Sequence, residues 1–403
     1  MTMTAPAPGE DAAPMPPRIG IVIPALAMGG FAIGTVEFAA MSLVPYYAAD
    51  MGVDPARAAH AISAYALGVV VGAPLLAVLG ARMARKTLLV ALMVLYALAN
   101  LAAALAPDFA LLMLFRFLSG LPHGAYFGVA ALMAAGLVAQ GRRTWAVSMV
   151  MLGLTVATLV GVPLANLLGQ GIGWRWGFAM AAGLAGVTAV LVARFAPLDR
   201  PDPRANPLAE LSALANRQVL LTLATGAIGF GGLFAVYTYV ANTLQEVTLA
   251  PAWAEPLVFQ TFGLGMVLGT LFTGRVADRW GLLQTTAGLI VLSCVALVAY
   301  PTTVHSLGLM VPCVFVIGFG GSFGLALQTH LMDVAGRAQT MAAAMHHAAF
   351  NAANALGPWL ASVAVAAGLG YASTGFVGAA LALGGLVVLG LTALDLRRSR
   401  SRG

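Results

Sequence analysis

Apolar runs of about 20 residues or more recur from residue 20 to residue 394, with short stretches between them where the charges collect. A helix needs about 20 mostly apolar residues to cross the hydrocarbon of a bilayer. Only 8% of the residues are charged and 61% are hydrophobic, whereas a soluble domain carries about 25% charged residues. A soluble chain this apolar would expose large greasy patches and aggregate. The 47 glycines suit the close helix packing of membrane bundles. Twelve spans are predicted, over 20–47, 57–79, 87–105, 109–138, 144–168, 175–196, 218–244, 254–273, 283–301, 306–331, 338–367 and 371–394.

An even number of spans puts both termini on one side, and charge says which. Of the 20 Lys and Arg residues, 17 fall on that side: Arg18, Arg194, the even-numbered loops (among them Arg82, Arg85, Lys86, Arg142, Arg143, Arg200, Arg204, Arg217, Arg275, Arg279 and Arg337) and the C-terminal tail with Arg397, Arg398, Arg400 and Arg402. Arg57 and Arg175 lie on the other side, and Arg116 lies within a span. Cytoplasmic loops carry this excess, so both termini are expected in the cytoplasm. The net charge of +6 is mostly this bias and gives no argument for nucleic acid. The first run is too long for a signal-peptide core and is read as a retained span. Cys294 and Cys313 sit inside apolar runs, with no disulfide framework and no metal spacing.

The chain repeats itself. Gly80-Ala-Arg82-Met-Ala-Arg85-Lys86 has a partner 194 residues on, Gly274-Arg275-Val-Ala-Asp278-Arg279-Trp-Gly281. Arg143, Pro163, Trp174 and Phe178 have counterparts in Arg337, Pro358, Tyr371 and Phe376. The division that follows is a disordered tail over 1–18, a six-helix half over 19–196, a cytoplasmic linker over 197–216, a second half over 217–396, and a basic tail over 397–403. Pro197, Pro201, Pro203 and Pro207 mark the linker. The fold class is an all-α membrane protein: twelve transmembrane helices in two pseudo-symmetric halves around a midplane cavity, which is a transporter plan.

At these residues the chain resembles the major facilitator superfamily over nearly its full length. Gly274 through Gly281 matches the superfamily's loop motif, while its counterpart at Gly80 has Arg82, Arg85 and Lys86 but no Asp. That departure weakens any carboxylate latch on the first loop. Arg116-Phe-Leu-Ser-Gly120-Leu-Pro-His123-Gly124 looks like the span-four motif of proton-coupled members. Gly153 through Gly161-Val-Pro163 is similar to the span-five antiporter motif, although Val162 intervenes and Ala165-Asn166 stands where the motif has paired glycines. Gly34-Thr-Val-Glu37-Phe, Leu121-Pro-His123-Gly124 and Gly161-Val-Pro163 together look like the arabinose-efflux and drug-efflux branch. The resemblance implies a monomeric transporter of the bacterial inner membrane, a drug:proton antiporter or a sugar exporter, with the proton as coupling ion and no cofactor.

Ionisable groups inside a membrane are costly and usually functional. Gly30, Gly34, Glu37 and Met41 share one face of the first span; the glycines admit another helix and Glu37 then points into the bundle. It suits a proton carrier or a site for a cationic substrate; the alternative is a packing carboxylate. Arg116, Gly120, His123 and Phe127 share a face of span four. The resemblance places spans one and four along the cavity, which makes Arg116 the natural partner of Glu37. Guanidinium keeps its proton at working pH, so Arg116 can tune but not carry. His123 is either a titrating group or a neutral hydrogen-bonded residue beside Pro122.

His346 and His347 are adjacent, diverge by about 100° on a helix, and are not expected to face one ligand together. His347, Asn351, Asn354 and Pro358 share a face expected to line the cavity. Phe230, Phe234 and Tyr237 form a stripe on span seven, suited to a broad apolar pocket or to ordinary packing, with Asn242 off the stripe. Gly153, Gly161 and Pro163 should bend span five and let the halves seal and rock. Asp278 is expected to accept from Arg279 or from helix N-terminal amides of the other half, as a latch whose secondary members include Arg275 and Arg279.

Gly320-Gly-Ser322-Phe-Gly324 has the nucleophile-elbow spacing, but that pattern needs a strand before it, so it is read as packing. No Walker A sequence is present, so ATP does not drive transport directly. The reading is a secondary transporter and not an enzyme: proton-coupled efflux of small amphipathic compounds across the lipid bilayer. Sugar or sugar-derivative efflux is the alternative, and an intramembrane enzyme the remote one.

Overall fold

The computed structural model describes residues 19–58, 60–199, 210–251 and 253–400. The tail over 1–18, Arg200, Arg204, Pro201, Pro203, Pro207 and Arg402 lie outside the described residues. Among the described residues, twelve helices are long and apolar enough to cross a membrane. They are α1 (Ile19–Ser42), α2 (His60–Gly80), α3 (Arg85–Ala104), α4 (Phe109–Gly136), α5 (Gln140–Gly169), α6 (Arg175–Phe195), α7 (Arg217–Glu246), α8 (Ala254–Trp280), α9 (Leu282–Thr303), α10 (Leu307–Val334), α11 (Gln339–Leu369) and α12 (Tyr371–Arg398).

Three elements depart from the predicted spans. The first span stops at Ser42 and a short helix, Val44–Asp50, with a proline in its first turn, follows it. Helix α8 runs seven residues past its predicted end, from 273 to Trp280, so most of the motif expected in a loop is helical. Its charges are tolerated because this turn leaves the apolar core, and Gly281, at φ 96°, ends the helix. Helix α10 is broken: it runs Leu307–Gly320 and resumes at Phe323. The stretch around Ser322, expected to be packing inside a continuous helix, is thus an interruption of the helix, with three glycines around it.

The packing has the symmetry the repeat requires. Helix α1 packs on α5 and α6, α2 on α4, and α3 on α4 and α6; each pairing recurs six helices on, α7 with α11 and α12, α8 with α10, and α9 with α10 and α12. The halves meet where α11 packs against α2 and α4, and where α5 packs against α8. Small residues make the first of these seams. A Cβ on Gly124 or Gly128 would lie 2.9 Å from the backbone of Ala344, and Ala73, Ala344 and Ala348 fill the space between. Leucines and valines such as Leu79, Val190 and Val387 are exposed on the outside of the bundle, where lipid covers them.

Helix α5 changes pitch within the bundle. Residues Ala157–Gly161 form a π segment, one residue short of Pro163, and such bulges are an established cause of kinks. Before that segment Gly153 lies against the backbone of Ala27 and Phe31, and at its end Gly161 lies against the hydroxyl of Thr35. Gly30 and Gly34 of α1 face the same helix, close to Val150, Leu154 and Ala157.

Candidate substrate and coupling site

Glu37 is 3% exposed and Arg116 is fully buried. Each lies within electrostatic reach of the other, and Asn351 of the second half is beside Glu37. They do not pair as expected: among the described residues no hydrogen bond joins Glu37 to Arg116 and none of the three guanidinium nitrogens has a hydrogen-bonding partner, while the Asn351 side chain is the polar group that interacts with the Glu37 carboxylate. Arg116 lies instead over aromatic rings, 4.4 Å from the centroid of Tyr65 and 5.4 Å from that of Phe178. A ring face attracts a desolvated cation with about 2 kcal/mol, which offsets part of the cost of burying it.

From Tyr65 a chain of side chains crosses between the halves. Its hydroxyl is 2.8 Å from Nδ1 of His123. Nε2 of His123 is 3.2 Å from Nδ1 of His347 on α11. Phe127, one turn beyond His123, stacks on His347 at 4.3 Å between centroids. Asn351 donates from Nδ2 to the His347 carbonyl at 3.0 Å. His123 is thus a bridge between halves, bonded at both ring nitrogens.

Beside this chain is a cavity of about 60 Å³, lined from α5 by Met151, Leu154 and Thr155, from α7 by Phe230, from α8 by Met266 and Thr270, from the broken part of α10 by residues through Gln328, and from α11 by His346, His347 and Phe350. Both histidines face it, contrary to the divergence expected on a helical wheel. Their rings stand at 90° to one another with centroids 5.4 Å apart, so one cavity at the junction of several helices meets both. Of the predicted lining, Phe230 and His347 reach the cavity. Phe127 and Asn351 touch His347 from behind. Phe234 packs edge-on against Phe350, and Tyr237 against Phe38, Phe259 and Phe262, so the rest of the aromatic stripe backs the site without lining it. Met41, Asn242 and Asn354 are half-buried outside the lining.

Gln328, Thr270 and Ser322 also line the cavity, beyond the residues that the sequence points to. Gln328 carries a signal: with Thr329 and His330 it forms a polar triplet inside an otherwise apolar run. Ser322 is no nucleophile here, since its hydroxyl pairs with Thr273 at 2.8 Å and donates to the Phe319 carbonyl at 2.8 Å.

The basic face is closed by contacts between halves. Asp278, in the last turns of α8, accepts from the amides of Thr144 and Trp145 at the start of α5, at 3.1 Å each. Of the two expected partner types, the structure uses the helix amides. Gly274 lies against Ser148 and Trp145 of α5, and Arg143 bonds Asp333 of α10 at 3.0 Å. Arg275 turns back to the carbonyl of Leu271. In the first half, Gly80 packs on Leu88 and Arg85 offers its amide to Asp199 at 2.7 Å.

The motif at Gly80 lacks an acid, yet a carboxylate does sit on α11: Glu210, from the end of the linker, accepts from the amide of Met341 at 2.9 Å. Burial pushes Glu210 above the ordinary glutamate range, against the pull of that amide and of Thr340. On the opposite face, hydrogen bonds from Arg175 and from the Trp174 indole hold Asp50 below the usual carboxylate range.

The family model described as the Major Facilitator Superfamily matches residues 26–358. The chain belongs to the major facilitator superfamily. Among its relatives, the "Inner membrane transport protein YdhP" of Escherichia coli strain K12 is 36% identical over 375 residues, 92% of this chain and 95% of that one. A "Chloramphenicol resistance protein" of Streptomyces lividans is 32% identical over 91% of this chain and 93% of its own length. A "Probable sugar efflux transporter" of Helicobacter acinonychis is 28% identical over 88% and 91%. The crystal structure of a human protein, titled the organic anion transporter MFSD10, superposes with a TM-score of 0.72 at 16% identity, over 92% of this chain and 98% of that one; this likeness is one of fold. The superfamily's twelve-helix fold is the fold seen here. The protein is a multi-pass inner-membrane transporter, not an enzyme.

Proposed function

We propose that the protein exports small amphipathic compounds in exchange for protons, by alternating access of its two halves, with Glu37 as the group that carries the proton. The observation that carries this reading is the pair of buried charges Glu37 and Arg116, which do not bond each other, set beside a chain of side chains that leads to the cavity. A buried carboxylate held by no direct ion pair, with only the Asn351 amide beside it, has an ionisation that responds to whatever enters the site, which is what exchange of a proton for a solute requires. Arg116 stays charged and biases that ionisation. The tie from Arg116 through Tyr65 and His123 to His347 gives the proton site and the cavity a common set of contacts. No cofactor enters; the proton is the coupling ion.

The positive-inside rule makes the basic face cytoplasmic. Since Asp278 and Arg143 join the two halves across that face, this arrangement is shut toward the cytoplasm. The cavity is too small here for a drug-sized ligand, and fills as the halves part. The Streptomyces relative's name supports efflux of a drug-like compound and the Helicobacter relative's name supports sugar efflux. The mainly apolar and aromatic lining favours the first.

The test is substrate-triggered proton release from purified protein in detergent, screened over lipophilic cations, uncharged antibiotics and sugars. Release by amphipathic compounds, lost in Glu37→Gln with folding intact, is the expected result. Release by sugars alone moves the alternative ahead. Release that persists in Glu37→Gln overturns the role of Glu37, and no release by any compound overturns proton coupling.

A further inference from the structure

We infer that the cavity selects uncharged aromatic compounds carrying both a hydrogen-bond donor and an acceptor, and that Gln328 is the residue that reads them. The inference rests on the transport reading only in taking this cavity as the substrate site.

Gln328 is fully buried, lines the cavity, and among the described residues neither its amide oxygen nor its amide nitrogen has a partner. An amide left so forfeits about 1–3 kcal/mol per unmet group, so a side chain kept only for packing would be better as leucine. His347 adds a second such atom. Its Nδ1 faces His123 while its Nε2 lacks a partner among the described residues, and its side chain is 3% exposed. The hydrogen-bonding roles along the chain are linked. When the Tyr65 hydroxyl donates to Nδ1 of His123, Nε2 of His123 donates to Nδ1 of His347, and Nε2 of His347 keeps its own proton as a donor. The cavity then offers a ligand one acceptor, the Gln328 oxygen, and two kinds of donor, the Gln328 amide and the His347 imidazole.

The apolar part is aromatic. Phe230 and Phe350 meet edge to face with centroids 5.0 Å apart, and His346 stands edge-on to Phe230 at 5.9 Å. Such walls suit a flat ring.

Charge is what the cavity does not provide. Among the described residues that line it there is no Asp, Glu, Lys or Arg. A lipophilic cation seated there would have no counter-charge in contact, and an unpaired charge is costly in a low-dielectric site. An uncharged ligand escapes that cost and still satisfies the waiting amide. A site built to hydrogen-bond its ligand also rejects analogues that lack the groups, because its own polar atoms are then left unmet.

The experiment is equilibrium binding of radiolabelled chloramphenicol, an uncharged nitroaromatic amide with two hydroxyls, to the purified full-length protein at one fixed pH. Tetraphenylphosphonium and benzoate serve as cationic and anionic competitors. No gradient is applied, so binding is read whether or not proton coupling holds. Chloramphenicol should bind and resist displacement by either ion. Gln328→Leu should weaken binding at least tenfold while leaving the melting temperature of the ligand-free protein unchanged or higher, since it removes an unmet polar group. Gln328→Met, another apolar replacement of similar length, should do the same. The inference is overturned if chloramphenicol fails to bind while either ion binds, if none of the three binds, or if both variants bind chloramphenicol as the parent does. Lower melting temperatures in both variants would make Gln328 a structural residue and overturn it equally.

Discussion

Tyr65 does two separable jobs for buried groups. Its ring lies under the Arg116 guanidinium and its hydroxyl bonds His123. Tyr65→Phe keeps the ring and strands Nδ1 of His123, at a cost of about 1–3 kcal/mol. Tyr65→Leu removes the ring as well, and adds the loss of a desolvated cation–π contact of about 2 kcal/mol. Denaturation of the detergent-solubilised variants should therefore rank parent above Phe above Leu. Equal loss in the two variants would mean that the ring does nothing for Arg116. At this scale the sequence was legible where a residue was rare. Glu37 and Arg116 stand out because few ionisable residues interrupt the spans. Their failure to pair was not legible, because whether two buried charges touch depends on rotamers and on the aromatic rings that intervene. Gln328 stands out little in the sequence, because a neutral amide in a membrane run is ordinary until its neighbours prove unable to satisfy it.

Among the helices, the seam between α4 and α11 depends on having no side chain at Gly124 and Gly128. A Cβ at Gly128 would sit 2.9 Å from the Ala344 nitrogen and 3.1 Å from the Thr340 carbonyl. Backbone cannot yield there without parting the helices. Gly128→Val should thus hold the basic face open, lengthening spin-label distances between the ends of α4 and α11. Gly183 of α6 meets nothing within 4 Å, and Gly183→Ala should leave those distances unchanged while gaining a little helix propensity, about 1 kcal/mol. Unchanged distances in Gly128→Val would show that the seam can absorb a side chain. All twelve helices were readable from apolar length alone. Their ends were less so, because hydropathy records where apolar residues stop and not where hydrogen bonding stops. Helix α8 continues through Asp278 and Arg279 to Gly281, which ends it by adopting a left-handed φ. The break in α10 was hidden because Gly320, Gly321 and Ser322 are as acceptable inside a tightly packed membrane helix as at an interruption.

For the whole molecule, the question is whether the halves move as two bodies about one equilibrium. The internal repeat gives a direct way to ask it. Asp278 has its repeat counterpart at position 84 (278 − 194 = 84), which is Ala84, so symmetry alone would leave α11 without an acid at its start. The linker supplies one: Glu210 accepts at the start of α11 as Asp278 does at the start of α5, although Asp278 joins the two halves and Glu210 joins the linker to the second half. A negative group at a helix N-terminus is favourable both as an acceptor for free amides and against the helix dipole. If each such contact contributes about 1.5–3 kcal/mol to the closed arrangement, removing both shifts a two-state equilibrium by about 3–6 kcal/mol, a factor of roughly 10²–10⁴. The two contacts share no residue, so their effects should add when they act on the same equilibrium. Asp278→Ala and Glu210→Ala should each raise the fraction open on the basic face, and the double variant should raise it by the product of the two factors, read as spin-label distance populations across both seams, α5–α8 and α2–α11. Each single variant should open both seams together. If Asp278→Ala opened only the α5–α8 seam and Glu210→Ala only the α2–α11 seam, the halves would not be rigid bodies, and the linker would be a local clamp on α11 with no part in the rocking of the molecule.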